Sequence, residues 1–277
     1  MTTKPYSQWR VILDVPQSGP LNMALDESLL YHTGKKLSPP TLRLYAWDKP
    51  TLSLGLSQTA SDVDQEKLKQ YGWGLVRRPT GGKAILHTDE LTYSITGASD
   101  ESLLSGSLME SYQRISEVIK KALEILGVET SACAKYELPE LLNKSDPVCF
   151  KIPSNFEVTW NHKKLVGSAQ ARKGGGVLQH GSLPLYGSLT RITNVLSYPT
   201  QAARESAMQN IRDHAATLEE AANRVIPWDQ AAHAMMEAFI QTTDIELQRS
   251  NPNAQEIEMA NELLEKKYTS ADWNYRI

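Results

Sequence analysis

Arg77-Arg78-Pro79-Thr80-Gly81-Gly82-Lys83-Ala84-Ile85-Leu86-His87, followed by Leu91-Thr92-Tyr93-Ser94, is the stretch on which the fold turns. Two arginines, a Pro-Thr-Gly-Gly turn and a histidine lie between apolar runs that read as strands. Glycines lack Cβ, so the backbone there can take positive φ and come close to a ligand. Successive N–H groups in such a turn can converge on a carbonyl or carboxylate oxygen. A phosphate loop does not fit. Gly82-Lys83 would need glycine where Arg77 stands and Ser or Thr where Ala84 stands. Local residue types leave two readings, a ligand-facing loop and a plain basic hairpin turn.

Working outward, residues 74–78 lead into the loop as a strand and 91–96 continue the sheet. Residues 41–47 and 51–56 alternate in hydropathy around Asp48-Lys49-Pro50 and read as strands. Leu21, Ala24, Leu25 and Leu29 mark a helix over 21–31, and 62–71 is a short helix candidate. Leu108, Tyr112, Ile115, Ile119, Ala122 and Leu126 recur at spacings of 4, 3, 4, 3 and 4, the strongest helix signal, ended by Gly127. Phe156, Val158 and Trp160 alternate before Asn161-His162. This predicts a hairpin whose second strand, 164–172, puts Lys164, Val166, Ser168 and Gln170 on one face. Residues 177–186 read as a further strand, and Lys173-Gly174-Gly175-Gly176 as a flexible turn. After about Ser197 the sequence becomes Ala-rich and helix-favouring.

A chain of 277 residues suits one large α/β domain, or one with a small helical appendage. A net charge of −3 and a mean hydropathy of −0.40 describe a soluble globular protein. No apolar run of about 18 residues predicts a membrane span. Met1-Thr2-Thr3-Lys4-Pro5-Tyr6 lacks the apolar core of a signal peptide. Mild acidity argues against nucleic acid as the main partner, while a local basic patch could still dock an acidic protein. Two cysteines, Cys133 and Cys149, fit a reducing cytoplasm.

Cys149 lies in Lys144-Ser145-Asp146-Pro147-Val148-Cys149-Phe150-Lys151-Ile152-Pro153, a polar, proline-bounded segment that reads as a loop. Loop placement and nearby lysines suit a reactive thiol, whereas Cys133 in Ser131-Ala132-Cys133-Ala134 suits an inert buried one. A thiol of pKa about 8.5 is only roughly 3 % thiolate at pH 7. An ammonium that lowered it by about two units would make thiolate the majority form. Lys164 is the candidate for that ammonium, and equally reads as a surface lysine whose stem covers apolar neighbours. None of the six histidines forms a His-Glu-x-x-His pattern, so no metal site is expected. His87 closes the Gly-Gly loop and suits a structural role better than acid–base work. Ser168 lacks a Gly-x-Ser-x-Gly elbow, which argues against a serine hydrolase.

The Arg-Arg-x-Thr-Gly-Gly stretch with Leu-Thr-Tyr-Ser resembles the acyl-binding loop of the lipoate ligase/octanoyltransferase superfamily, whose fold is shared with biotin protein ligase. Asn22-Met23-Ala24-Leu25-Asp26-Glu27 resembles that family's first helix. Lys164-Leu165-Val166-Gly167-Ser168-Ala169-Gln170 resembles its Lys-x-x-Gly-Ser-Ala strand, and Gln179-His180-Gly181-Ser182-Leu183 follows in order. Lys266-Lys267-Tyr268 with Trp273 resembles its C-terminal ending. Lys83 departs from the arginine or glycine expected after Gly-Gly. The resemblance implies an α/β fold of mixed sheets flanked by helices. Residues 1–196 would form the acyltransferase catalytic domain, and 197–277 a helical extension packed on it. It also assigns Lys164 to the acyl site, with Arg77, Arg78, Thr80, Gly81, Gly82, His87, Gly167, Ser168 and Ala169 binding the acyl substrate.

ATP-dependent ligases of the superfamily carry an Arg-Asn-Asp-type segment before that strand; here the region reads Pro153-Ser154-Asn155-Phe156-Glu157-Val158, with Cys149-Phe150 just ahead. This resembles the cysteine-dependent octanoyltransferase branch of bacilli. That branch implies a ping-pong reaction with Cys149 and Lys164 as catalytic residues and no cofactor. Octanoyl acyl-carrier protein would be the donor. The acceptor would be a lipoyl-domain protein such as the glycine-cleavage H protein. A lipoyl-relay amidotransferase, an ATP-dependent lipoate ligase and a non-catalytic lipoyl-domain binder are the alternatives. Arg77 and Arg78 either frame the loop or meet the acidic carrier.

Overall fold

The computed structural model describes residues 7–132 and 158–276. The chain opens with β1 (Ser7–Leu13), α1 (Gly19–Gly34), β2 (Thr41–Tyr45), β3 (Thr51–Leu54) and α2 (Gln65–Gln70). Then come β4 (Gly74–Arg77), β5 (Ile85–His87), β6 (Glu90–Ala98), α3 (Leu108–Ile125) and β7 (Ser131–Ala132). Next are β8 (Val158–Trp160), β9 (Lys163–Lys164), β10 (Gly167–Lys173) and β11 (Gly176–Pro184). The remainder is α4 (Gln201–His214), α5 (Leu218–Ala222), α6 (Trp228–Thr242), β12 (Ile245–Arg249), α7 (Ala254–Leu263), a π-helical turn (Leu264–Tyr268) and α8 (Ala271–Asn274).

Six strands in the order β10-β11-β6-β2-β1-β12 make the main sheet. It is antiparallel from β10 to β2 and parallel from β2 through β1 to β12. Its two faces differ in chemistry because side chains alternate along each strand. Leu42, Leu44, Leu91, Tyr93 and Ile95 point into an apolar core shared with α3 and α6. The alternate positions Arg43, Tyr45, Thr92, Ser94, His180 and Ser182 are all buried on the other side, which α1 covers. A polar, buried face is costly unless its groups are hydrogen-bonded, and here most are bonded to α1 or to one another.

Helix α3 follows its spacing. A capping box between Ser107 and Glu110 starts it, and Ile115, Val118, Ile119, Ala122 and Leu123 are buried. Helix α1 runs longer than the expected 21–31. Ser18 caps it and Pro20 sits in its first turn, where a missing N–H costs nothing. It is buried nearly all round because the sheet covers one side and α7 the other. Two small sheets complete the frame, β4-β3-β5 and β7-β8-β9.

The hairpin at Asn161-His162 forms as expected, with positive φ (46° and 63°) at both central residues, as a type I′ turn requires. The strand predicted over 164–172 does not run unbroken. β9 belongs to the third sheet and β10 to the main one, and Leu165 and Val166 between them are both buried. Consecutive buried residues break the period-2 alternation, so Lys164 does not share a strand face with Ser168. The C-terminal region is also not wholly helical: β12 pairs in parallel with β1 at the sheet edge. Among the described residues no helix is long and apolar enough to cross a membrane.

Candidate active site

A cavity of about 370 Å³, counted out to its mouth, lies between the small sheet β4-β3-β5 and the β10-β11 end of the main sheet. Met23, Tyr45, Trp47 and Ile85 give it apolar walls, while Gly167, Ser168 and Ala169 form the strand edge opposite. Strand β10 can approach β11 closely there because Gly181 faces Ser168. A Cβ on Gly181 would sit 2.8 Å from the Gly167 carbonyl and 2.5 Å from the Tyr93 ring. Ser168 Oγ is 2.6 Å from the Tyr93 hydroxyl, and burial pushes that phenol up to about 12.

The Gly-Gly loop joins β4 to β5, and Arg78 holds it from within while Arg77 gathers residues 55–58 and the C-terminal turn. Arg78, which lines the cavity, donates to the carbonyls of Gly81 (2.8 Å), Lys83 (2.7 Å) and Ser53 (3.2 Å). Arg77 is fully buried and donates to the carbonyls of Gly55 (2.8 Å), Gln58 (2.5 Å), Trp273 (3.1 Å), Asn274 (3.0 Å) and Arg276 (2.9 Å). A guanidinium has five donors in a fixed fork, so it can gather several carbonyls at once. Both guanidiniums are buried among backbone carbonyls; Arg78 lines the cavity and Arg77 does not. The loop carbonyls turn inward, and the Gly82 carbonyl fills the space where Gly55 would carry a Cβ, 1.9 Å away. Among the described residues, the Gly81 and Gly82 amides meet no acceptor, and both glycines are exposed. Positive φ falls on Gly82 (94°) and not on Gly81.

His87 also lines the cavity. Trp47 stacks on it with ring centroids 3.9 Å apart and planes 11° from parallel. Its Nδ1 lies 2.7 Å from Glu90 Oε1 and its Nε2 2.8 Å from Ser53 Oγ. Burial alone would raise the Glu90 carboxyl, but the His87 ring, Ser182 and Thr92 hold it below the usual carboxylate range. Trp47 Nε1 donates to Thr92 Oγ1 at 2.9 Å, which closes the network. Both ring nitrogens of His87 thus have side-chain partners, and neither meets a loop carbonyl.

His180, also at the cavity, stands between Asp26 (Nδ1 to Oδ2, 3.0 Å) and Thr80 (Nε2 to Oγ1, 2.7 Å). Burial opposes the charge on Asp26, yet His180, Arg43 and Tyr45 keep it ionised below the usual range. Burial pushes the His180 imidazole down, against the pull of Asp26 in the other direction.

Arg78, His87, Gly167, Ser168 and Ala169 thus come together around one cavity, with Thr80, Gly81 and Gly82 in the loop beside it. Lys164 is 97 % buried three residues before Gly167, and its carbonyl accepts from Ala216 N at 3.1 Å. Cys149 and Cys133 lie outside the described residues. The sequence motifs include Thr92, Asp26 and His180 without giving them a part, and do not include Trp47 or Glu90. A signal existed: polar residues alternate with apolar ones in strands whose apolar positions already fill a core, which marks a buried polar face. Among the described residues no group of His, Cys, Asp and Glu could hold a metal ion.

Residues 18–240 match the model of the lipoyl protein ligase A/B catalytic domain. The chain is 38 % identical over 271 residues to the octanoyltransferase LipM of Kyrpidia tusciae, covering 97 % of this chain and 98 % of that one. It is 35 % identical over 272 residues to the octanoyltransferase LipM of Bacillus subtilis (strain 168), with the same coverage. A solved lipoate-protein ligase A bound with ATP superposes with a TM-score of 0.77 at 25 % identity, over 97 % of this chain and 98 % of that one. The bi-partite lipoate protein ligase of Thermoplasma acidophilum shares the fold, with a TM-score of 0.79 at 24 % identity over 98 % and 97 % of the two chains. The class is therefore an α/β protein of lipoate-ligase fold, as the resemblance of the motifs implied. The chain belongs to the lipoyl protein ligase A/B catalytic domain family.

Proposed function

We propose that this protein is an octanoyltransferase of lipoate biosynthesis, moving octanoyl from acyl-carrier protein to a lysine of a lipoyl-domain protein. The observation that carries this reading is 35–38 % identity, over nearly the whole length, to proteins named octanoyltransferase. The acceptor is the glycine-cleavage H protein, and the setting is the cytoplasm, which suits two reduced thiols.

The reaction is ping-pong acyl transfer. Cys149 gives its proton to Lys164 and its thiolate attacks the octanoyl thioester carbonyl; the carbon–sulfur bond to pantetheine breaks, and the pantetheine sulfur leaves with the proton that Lys164 returns. The acceptor lysine amine then attacks octanoyl-Cys149, forms the amide and returns the thiol. Both steps pass through an oxyanion, for which the unmatched Gly81 and Gly82 amides are suitable donors. Lys164 stabilises the thiolate as an ammonium and, neutral once it has protonated the pantetheine sulfur, takes a proton from the attacking amine. The octanoyl chain lies between Met23, Tyr45, Trp47 and Ile85.

Purified components decide this. Octanoyl should pass from carrier to H protein without ATP or magnesium, and Lys164→Met should lower the rate by several orders of magnitude. Attachment that requires ATP and free octanoate or lipoate would return the protein to the ligase branch. Octanoylated H protein acting as the preferred donor would make it a relay enzyme.

A further inference from the structure

The mechanism above leaves His180 without a part, although its ring lines the cavity and is 94 % buried. We propose that His180 is a positioning residue that fixes the Gly81-Gly82 loop over the acyl cavity by gripping Thr80, with Asp26 as its own support; this rests on the octanoyltransferase reading.

The proton positions follow from chemistry. Ionised Asp26 can only accept, so His180 Nδ1 carries the ring proton across the 3.0 Å contact. A neutral ring then has a bare Nε2, and the Thr80 hydroxyl must donate to it across 2.7 Å. Asp26 is itself held by Arg43 (2.9 Å) and by the Tyr45 hydroxyl (3.0 Å), so the chain of contacts ends in α1 and β2, both rigidly packed. On the loop side, Thr80 is tied twice, since its carbonyl also accepts from Leu56 N at 2.8 Å. The next two residues have no side chains with which to anchor themselves. Thr80 before them, and Arg78 beneath the Gly81 and Lys83 carbonyls, determine where their amides point.

A hydroxyl, an imidazole and a carboxylate in this order are also the parts of a nucleophilic triad. Thr80 is only 1 % exposed and does not line the cavity, so its hydroxyl is a tether, not a nucleophile. A tether matters here because a donor displaced by about 1 Å can lose roughly a hundredfold in rate.

Two measurements on the full-length protein test this. Imidazole nitrogen spectra of the unliganded native protein should show His180 as the Nδ1–H tautomer at neutral pH; an Nε2–H tautomer or an imidazolium there overturns the proposal. Thr80→Val, which keeps the shape and removes the hydroxyl, should loosen Gly81 and Gly82. Their amide order parameters should fall from about 0.85 toward roughly 0.6. It should also lower kcat for octanoyl transfer by roughly tenfold to a hundredfold with KM nearly unchanged, and Thr80→Ser should restore most of the loss. Native order parameters in Thr80→Val overturn the proposal whatever the activity. If the loop loosens but native protein transfers no octanoyl, the positioning stands and the octanoyltransferase reading fails.

Discussion

Arg77 and Trp273, 196 residues apart in sequence, bind each other twice: Trp273 Nε1 donates to the Arg77 carbonyl at 2.9 Å, and Arg77 Nε donates to the Trp273 carbonyl at 3.1 Å. The C-terminal turn is thereby clasped to the strand that enters the Gly-Gly loop. The clasp is extended by Lys267 and Arg276, which both lie 3.9 Å over the Trp273 ring. The motif arginine is therefore a structural hub that joins residues 55–58 to the C-terminal turn.

Arg77→Lys should accordingly behave as a stability mutant. Lysine keeps the charge but has three donors and no planar fork, so several buried carbonyls lose their partner. The expected loss is about 2–4 kcal/mol, read as a drop of several degrees in thermal melting. A native melting temperature in Arg77→Lys would show that the clasp carries no stability.

The glycines of the loop should not respond alike. Gly55→Ala would place a Cβ 1.9 Å from the Gly82 carbonyl and should push the loop outward, costing about 1–3 kcal/mol and reducing transfer. Gly81 has open space where a Cβ would sit and no positive φ, so Gly81→Ala should change stability by less than about 0.5 kcal/mol. Denaturant titration of the two variants checks the contrast, and equal losses would refute it.

Local sequence cannot distinguish Gly81 from Gly82, because it does not show what lies across from each; Gly55, against which the Gly82 carbonyl packs, is outside the motif. The same holds for the buried network. His180 and Asp26 are 154 positions apart, so their pairing is a product of sheet order. Helix α3 and the Asn161-His162 hairpin were legible because periodicity and turn chemistry are local. Helix α1 extends beyond its sequence signal: with the sheet on one side and α7 on the other, its polar residues Asn22, Asp26 and Glu27 are buried and blur the apolar stripe. Strand β12, Ile-Glu-Leu-Gln-Arg, pairs only at the sheet edge beside β1, where one short alternating run between helices carries little signal.

Acid should destabilise the fold in two stages. Asp26 and Glu90 sit below their usual values of 3.8 and 4.5. Their stabilisation is complete above those values and is lost as pH falls toward the folded ones. His180 acts earlier, because its folded value lies below 6.5. Just under that pH the unfolded chain takes up a proton that the folded chain refuses, so stability falls with added acid. His180→Gln should flatten this first decline and leave the second. Denaturation midpoints across pH read both stages, and an unchanged first decline in the variant would exclude His180 as its source.

Acyl chain length should matter in proportion to buried methylenes. Each contributes about 0.8 kcal/mol, so hexanoyl should bind roughly tenfold more weakly than octanoyl among Met23, Tyr45, Trp47 and Ile85. Competition between the two acyl-carrier proteins gives the ratio. No preference between them would place the acyl chain elsewhere.

The covalent step is tested most directly by intact mass after incubation with octanoyl acyl-carrier protein alone. The expected result is a gain of one octanoyl group, mapped to Cys149, lost in Cys149→Ala and retained in Cys133→Ala. An adduct on Cys133, or full turnover by Cys149→Ala, would contradict it.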